Sequence, residues 1–145
     1  MINPNDVADA VAATLVANKT TLGITDASVI AEDADVKPMR PPHAGVFADF
    51  EYEAGQQTSD TTQICVPVEI KILCFSTECK TAALAFAEAF GIAVKIVALM
   101  KGVLTVGSDE VTLKIRKKPF EILRNSAEQS VVQVNVYYEL TSVGE

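Results

Sequence analysis

The first apolar pattern in the chain has a helical period. Val7, Val11 and Leu15, with Ala8 and Ala12 beside them, share one face, while Asp6, Asp9 and Ala13 lie elsewhere. Asn3 can N-cap this segment with Pro4 at the first helical position, and Asp6 sets a carboxylate near the positive end of the helix dipole. An amphipathic helix over about 4–18 is predicted. Residues 18–26, with Gly23 and several threonines, read as a loop, and 28–31 as a short strand before the acidic Glu32, Asp33 and Asp35. Pro38, Pro41 and Pro42 exclude both a helix and a central strand, so His43 falls in a proline-rich loop.

From Ala44 the period changes to two. Ala44, Val46, Ala48, Phe50 and Tyr52 point one way, and Asp49, Glu51 and Glu53 the other, which predicts a half-buried strand with an acidic outer face. The polar stretch 54–60 reads as a hairpin turn into a second long strand with Ile64, Val66, Val68, Ile70, Ile72 and Cys74 on one face. Pro67 falls on the outward set of that strand and implies an edge position or a bulge. Ser76 or Thr77 can cap a helix that runs to about Met100 and includes Leu84, Phe86, Phe90, Ile92, Val94, Ile96, Val97 and Leu99.

That helix is almost long and apolar enough to span a bilayer, but Thr81, Glu88 and Lys95 give it a narrow polar stripe that argues for a water-soluble setting. A helix this apolar needs cover on more than one side, and a single sheet covers only one. The first helix or a neighbouring subunit must supply the rest. Beyond Lys101–Gly102, residues 103–106 fit a short strand and 107–109 a turn, after which Val111, Leu113 and Ile115 alternate with Thr112, Lys114 and Arg116. Lys117–Lys118–Pro119 breaks that pattern, 120–123 fits either state, and 124–129 reads as a polar loop. Val132, Val134, Val136, Tyr138 and Leu140 alternate with Gln133, Asn135, Tyr137 and Glu139 in a final strand. The order helix, strands, helix, strands predicts an α+β fold in a single domain over 1–145. It is a mainly antiparallel sheet with an N-terminal helix and one long central helix packed on it.

Composition narrows the function classes. With 145 residues, 49% hydrophobic, the chain can bury a core without metals or disulfides. Its 12 Lys and Arg against 19 Asp and Glu give a net charge of -7, which argues against general affinity for nucleic acid or anionic membrane. Three cysteines with no CxxC spacing suggest neither a disulfide framework nor a zinc site. Met1–Asp6 has no basic or apolar signal-peptide region, so synthesis in the cytoplasm is expected.

Candidate chemistry is sparse. His43, the single histidine, has no GxSxG nucleophile elbow to serve, and reads as structural. A helix start beside Lys80 can lower the thiol pKa of Cys79, but the better reading is a small apolar side chain in a reduced protein. The acids at 32–35 and 49–53 read as solvated faces without calcium-loop spacing, and no phosphate-cradling loop occurs. No catalytic residue, cofactor or metal is therefore expected. Charge is nevertheless segregated. Lys114, Arg116, Lys117, Lys118 and Arg124 hold five of the twelve basic residues, while 41–70 contains five acids and no Lys or Arg. Such segregation can be neutralised by cross-strand pairs or between identical subunits packed head to tail.

The order of elements resembles the small tail-terminator, or tail-completion, proteins of long-tailed phages and Mu-like prophages. The likeness rests on the N-terminal helix, the segment Pro41–Phe50, the strand Val66–Leu73, the long helix after it and the closing strand Val131–Leu140. The resemblance implies a structural virion protein, not an enzyme. It would form a ring, commonly a homohexamer, at the head-proximal end of the tail, assembled in the host cytoplasm. Such a ring caps the tail tube, stops its polymerisation and offers a surface to head-proximal connector proteins, with possible sheath contacts and a lumen through which DNA passes. Lys114, Arg116, Lys117, Lys118, Asp49, Glu51 and Glu53 are then candidates for subunit or tube contacts. The alternatives are a small-ligand-binding or enzymatic α+β domain with its pocket between the long helix and the sheet, or another neck or tail component.

Overall fold

A computed structural model describes residues 3–30, 41–49 and 63–143, with the side chains of all but 63–66 and 140–143. The elements, in chain order, are α1 (Pro4–Ala17), α2 (Lys19–Leu22), β1 (Asp26–Val29), β2 (His43–Asp49), β3 (Gln63–Phe75), α3 (Ala82–Met100), β4 (Gly102–Val106), β5 (Asp109–Arg124) and β6 (Val131–Val143). The strands form one curled sheet in the order β1-β2-β3-β6-β5-β4. Every neighbouring pair is antiparallel except β1 with β2. The predicted α+β architecture, two main helices on a mostly antiparallel sheet, is what the chain adopts.

Local chemistry fixes the helix ends. The Asn3 side chain accepts a hydrogen bond from the Asn5 N–H at 2.9 Å, which satisfies one of the unpaired amides of the first turn of α1. Val7, Ala8, Val11, Ala12 and Leu15 are all buried, as their spacing predicts. Residues 19–22 are not loop, as expected, but a single helical turn. Gly23 closes it in the left-handed conformation at φ 76°, and Leu22 reaches the core. One turn is too short to leave a readable period. Strand β1 starts two residues earlier than its apolar run suggests. The strand at 44 extends back to His43, so that histidine lies in the sheet instead of the loop.

Further corrections concern prolines and a cap. Thr81, not Ser76 or Thr77, caps α3, its hydroxyl accepting from the Leu84 N–H at 3.2 Å. Strand β3 is central, and Pro67 pairs opposite Glu139 with no register break. The described pairing of β2 stops two residues short of Pro67, at Glu69. Lys117–Lys118–Pro119 does not end a strand. Strand β5 runs through it to Arg124 by means of a bulge. The register passes from Ile115 opposite Val136 to Phe120 opposite Val134, so five steps on β5 match two on β6. A proline is tolerated there because the bulged backbone is already out of the ladder.

The core lies on the helix side of the sheet. Helix α3 packs on β6, β3 and β5 through Ala85, Ala89, Ile92, Ala93 and Ile96, whose small members let the backbone approach the strands. Helix α1 packs on β1 and β2 and also reaches β4, the strand at the opposite end of the order, so it spans the mouth of the curl. Val68, Ile70, Ile72, Val132, Val134, Val136 and Tyr138 supply the sheet's half of the core.

Candidate functional site

The face of the sheet away from the helices carries the residues of charged alternation. Asp49 and Glu69 stand opposite one another on β2 and β3, an unfavourable like-charge pair by itself. Two cations offset it. Lys71 Nζ lies 2.9 Å from Asp49 Oδ2, and Arg116 Nε lies 2.9 Å from Glu69 Oε1. The Lys71 pKa is raised above its ordinary value, first by the hydrogen bond to Asp49 and against the smaller effect of burial. The Arg116 guanidinium also sits 4.1 Å from the centre of the Tyr137 ring, a cation–π contact. Lys114 reaches Glu139 at 3.4 Å, but both side chains are nearly half exposed, and such a pair adds about 1 kcal/mol at most.

Of the candidate contact residues, Asp49, Lys114 and Arg116 therefore share one charged lattice, neutralised within the sheet. Lys117 and Lys118 do not join it. They stand exposed on the β5 bulge and form no ion pair among the described residues. Glu51 and Glu53 lie outside the described residues, as do the expected hairpin turn at 54–60 and the acids at 32–35.

Helix α3 presents a second surface. Leu84 is 55% exposed and Val94 45%, and Ala87 and Ala98 also face outward. By length and composition α3 could cross a membrane, yet Ala85, Ala89, Ile92, Ala93, Ile96 and Met100 are buried in the core. Glu88 is not a solvated stripe residue. Its carboxylate accepts from the Thr77 N–H at 2.7 Å and from the Thr77 hydroxyl at 2.8 Å, tying the segment before α3 to the helix. At the β5 end of the same surface, Phe90 packs on Phe120 with ring centres 5.0 Å apart. Beyond it, Ile122 and Leu123 are about half exposed. The Phe90–Phe120 contact joins the side of α3 to β5.

The titratable candidates have structural settings. His43 is buried and stacked on Phe75 at 4.4 Å, and neither ring nitrogen has a hydrogen-bond partner among the described residues. Burial lowers its pKa, and Asp26, opposite it on β1, opposes that shift. Cys79 lies in the segment before Thr81 rather than in the first turn of α3, and its N–H donates to the Ala127 carbonyl at 2.8 Å. Cys74 is fully buried, which pushes its thiol pKa up to about 12. No group of three or more metal-ligating side chains occurs among the described residues.

A feature the sequence concealed is an open recess of about 430 Å³ between the start of α1 and the β4–β5 turn. Asp6, Asp9, Asp109, Thr105 and Ser108 are among its lining residues. Asp6 is legible as a helix-end carboxylate, but only the curl of the sheet brings Asp109 beside it. No protein-family model matches the chain, and no curated protein matches it either.

Proposed function

We propose that this chain is a self-assembling structural subunit, a ring-forming protein of the phage tail-terminator type that caps the tail tube and joins it to the head-proximal connector. One observation carries the reading: α3 is at once a core helix and a helix with an exposed apolar flank that includes Leu84 and Val94. Apolar side chains grouped on an exposed helix face mark interaction surfaces, and a neighbouring subunit would cover this one. The charged lattice on the opposite face supports the same reading. Its charges are paired within the sheet, so it gives a polar surface of little net charge. A net charge of -7 suits a lumen through which DNA passes without adhering.

The ligand-binding alternative calls for an apolar pocket between α3 and the sheet. The recess described above lies instead at α1 and the β4–β5 turn, and it is open and acidic. The test is electron microscopy of the purified chain with polymerising tail-tube protein. Annular particles with a central hole, and tubes arrested at one end when the chain is added, are the expected result. Unchanged tube growth and featureless small particles would count against the proposal.

A further inference from the structure

Strand β5 has an unpartnered edge. Residues 109–113 pair with β4, but from Lys114 to Arg124 the side away from β6 has no strand beside it among the described residues. An open edge of this length invites pairing by another chain, and charge and bulges are the usual devices that control what pairs there. Here the edge has both. Lys117 and Lys118 project on the bulge, exposed and outside the internal charge lattice, and the apolar Ile122 and Leu123 follow.

The molecule also contains the complement of that projection. The recess between α1 and the β4–β5 turn is lined by Asp6, Asp9 and Asp109, all exposed and without an ion pair among the described residues. The bulge is a convex basic feature, and the recess is concave and acidic. Asp109 opens β5, and about 20 Å of extended strand runs from it to Ile115 before the bulge that carries Lys117. A chain therefore cannot fill its own recess with its own bulge.

We infer that the β5 edge is a contact between copies of this chain, in which the Lys117–Lys118 bulge of one copy enters the Asp6–Asp9–Asp109 recess of the next. The inference rests on the self-assembly proposed above and names the surfaces that meet. A cationic projection in an acidic recess steers encounter and fixes register, while Ile122 and Leu123 beside it supply apolar area. Because the two surfaces differ, the contact is heterologous and can propagate around a ring.

Charge exchange tests this on the full chain. One variant carries Lys117→Glu and Lys118→Glu; the other carries Asp6→Lys, Asp9→Lys and Asp109→Lys. All five positions are exposed, and circular dichroism verifies that each variant folds. Masses are read by light scattering after size exclusion, in low salt. Wild type is expected to associate, and each variant alone to dissociate with a dissociation constant raised about tenfold or more. An equimolar mixture should recover association, because acidic bulges then meet basic recesses and basic bulges meet acidic ones. If both variants assemble as wild type does, or if mixing restores nothing, the inference is overturned while self-assembly stands. A wild type that remains monomeric would overturn both.

Discussion

Gly45 is the position at which a single methyl group tests the packing most sharply. It lies in β2 on the face away from the helices, with Ile30 across it. A Cβ built there would come 2.7 Å from Ile30 Cδ1 and 3.2 Å from both Cγ1 and Cγ2. Carbon atoms pack at roughly 3.5–4.0 Å, so all three contacts are too close. Rotating the Ile30 terminus away relieves only Cδ1, and the Ile30 backbone is held by its N–H bond to the Val46 carbonyl at 2.8 Å. Overpacking of this kind costs about 1–3 kcal/mol, and the stiffer unfolded chain of an alanine variant returns about 0.4–1 kcal/mol. Gly45→Ala is therefore expected to lose about 1–2 kcal/mol. Urea denaturation of wild type, Gly45→Ala, Ile30→Ala and the double variant, at one fixed protomer concentration, measures this and the coupling between the sites. The double variant should be about as stable as Ile30→Ala alone. A Gly45→Ala protein as stable as wild type, or losses that simply add, would refute the close approach of Ile30.

Other outcomes follow from named contacts. Glu88→Ala leaves the Thr77 amide and hydroxyl without their acceptor, and should cost about 1.5–3 kcal/mol in the same denaturation assay, with Glu88→Gln losing less. His43 has a lowered pKa in the folded state, so the unfolded chain binds its proton more readily. The stability it contributes is whole above the ordinary value of 6.5 and falls as pH drops below it. Denaturation midpoints from pH 7.5 to about pH 5 should decline less steeply in His43→Phe, and an identical slope would rule this out. Cys74, with its pKa pushed up to about 12, should resist alkylation at pH 8 until the protein unfolds, as peptide mapping by mass spectrometry would show.

How much of this was legible in the sequence depended on whether the deciding interaction was local. Asn3 and Pro4 set the start of α1 within one turn, and the buried set from Val7 to Leu15 follows from a 3.6-residue period. The alternations of β3 and β6 were equally plain, because each strand has one face on the core. Lys117–Lys118–Pro119 looked like a strand end because a bulge and a terminus break the alternation in the same way; only pairing with β6 distinguishes them. The cap of α3 shifted to Thr81 because Thr77 is engaged by Glu88, eleven residues away. The candidate contact residues were visible as charge segregation, but their fates were not. Diagonal pairing to Lys71 absorbs Asp49, Arg116 reaches over Tyr137 of β6 to Glu69, and the bulge leaves Lys117 and Lys118 outside. The acidic recess was invisible because curling of the sheet joins residues about a hundred positions apart.

Self-assembly through the apolar flank of α3 is tested most directly by measuring the mass of wild type and of Leu84→Glu/Val94→Glu side by side, using light scattering after size exclusion at low micromolar concentration. Both side chains are about half exposed, so the substitutions should leave the folded subunit within about 0.5 kcal/mol of its stability at each site. Wild type should elute as a defined multiple of the 15.5 kDa chain, and the variant as a folded monomer with unchanged circular dichroism. A monomeric wild type, or a variant that assembles undiminished, would contradict the role given to this helix.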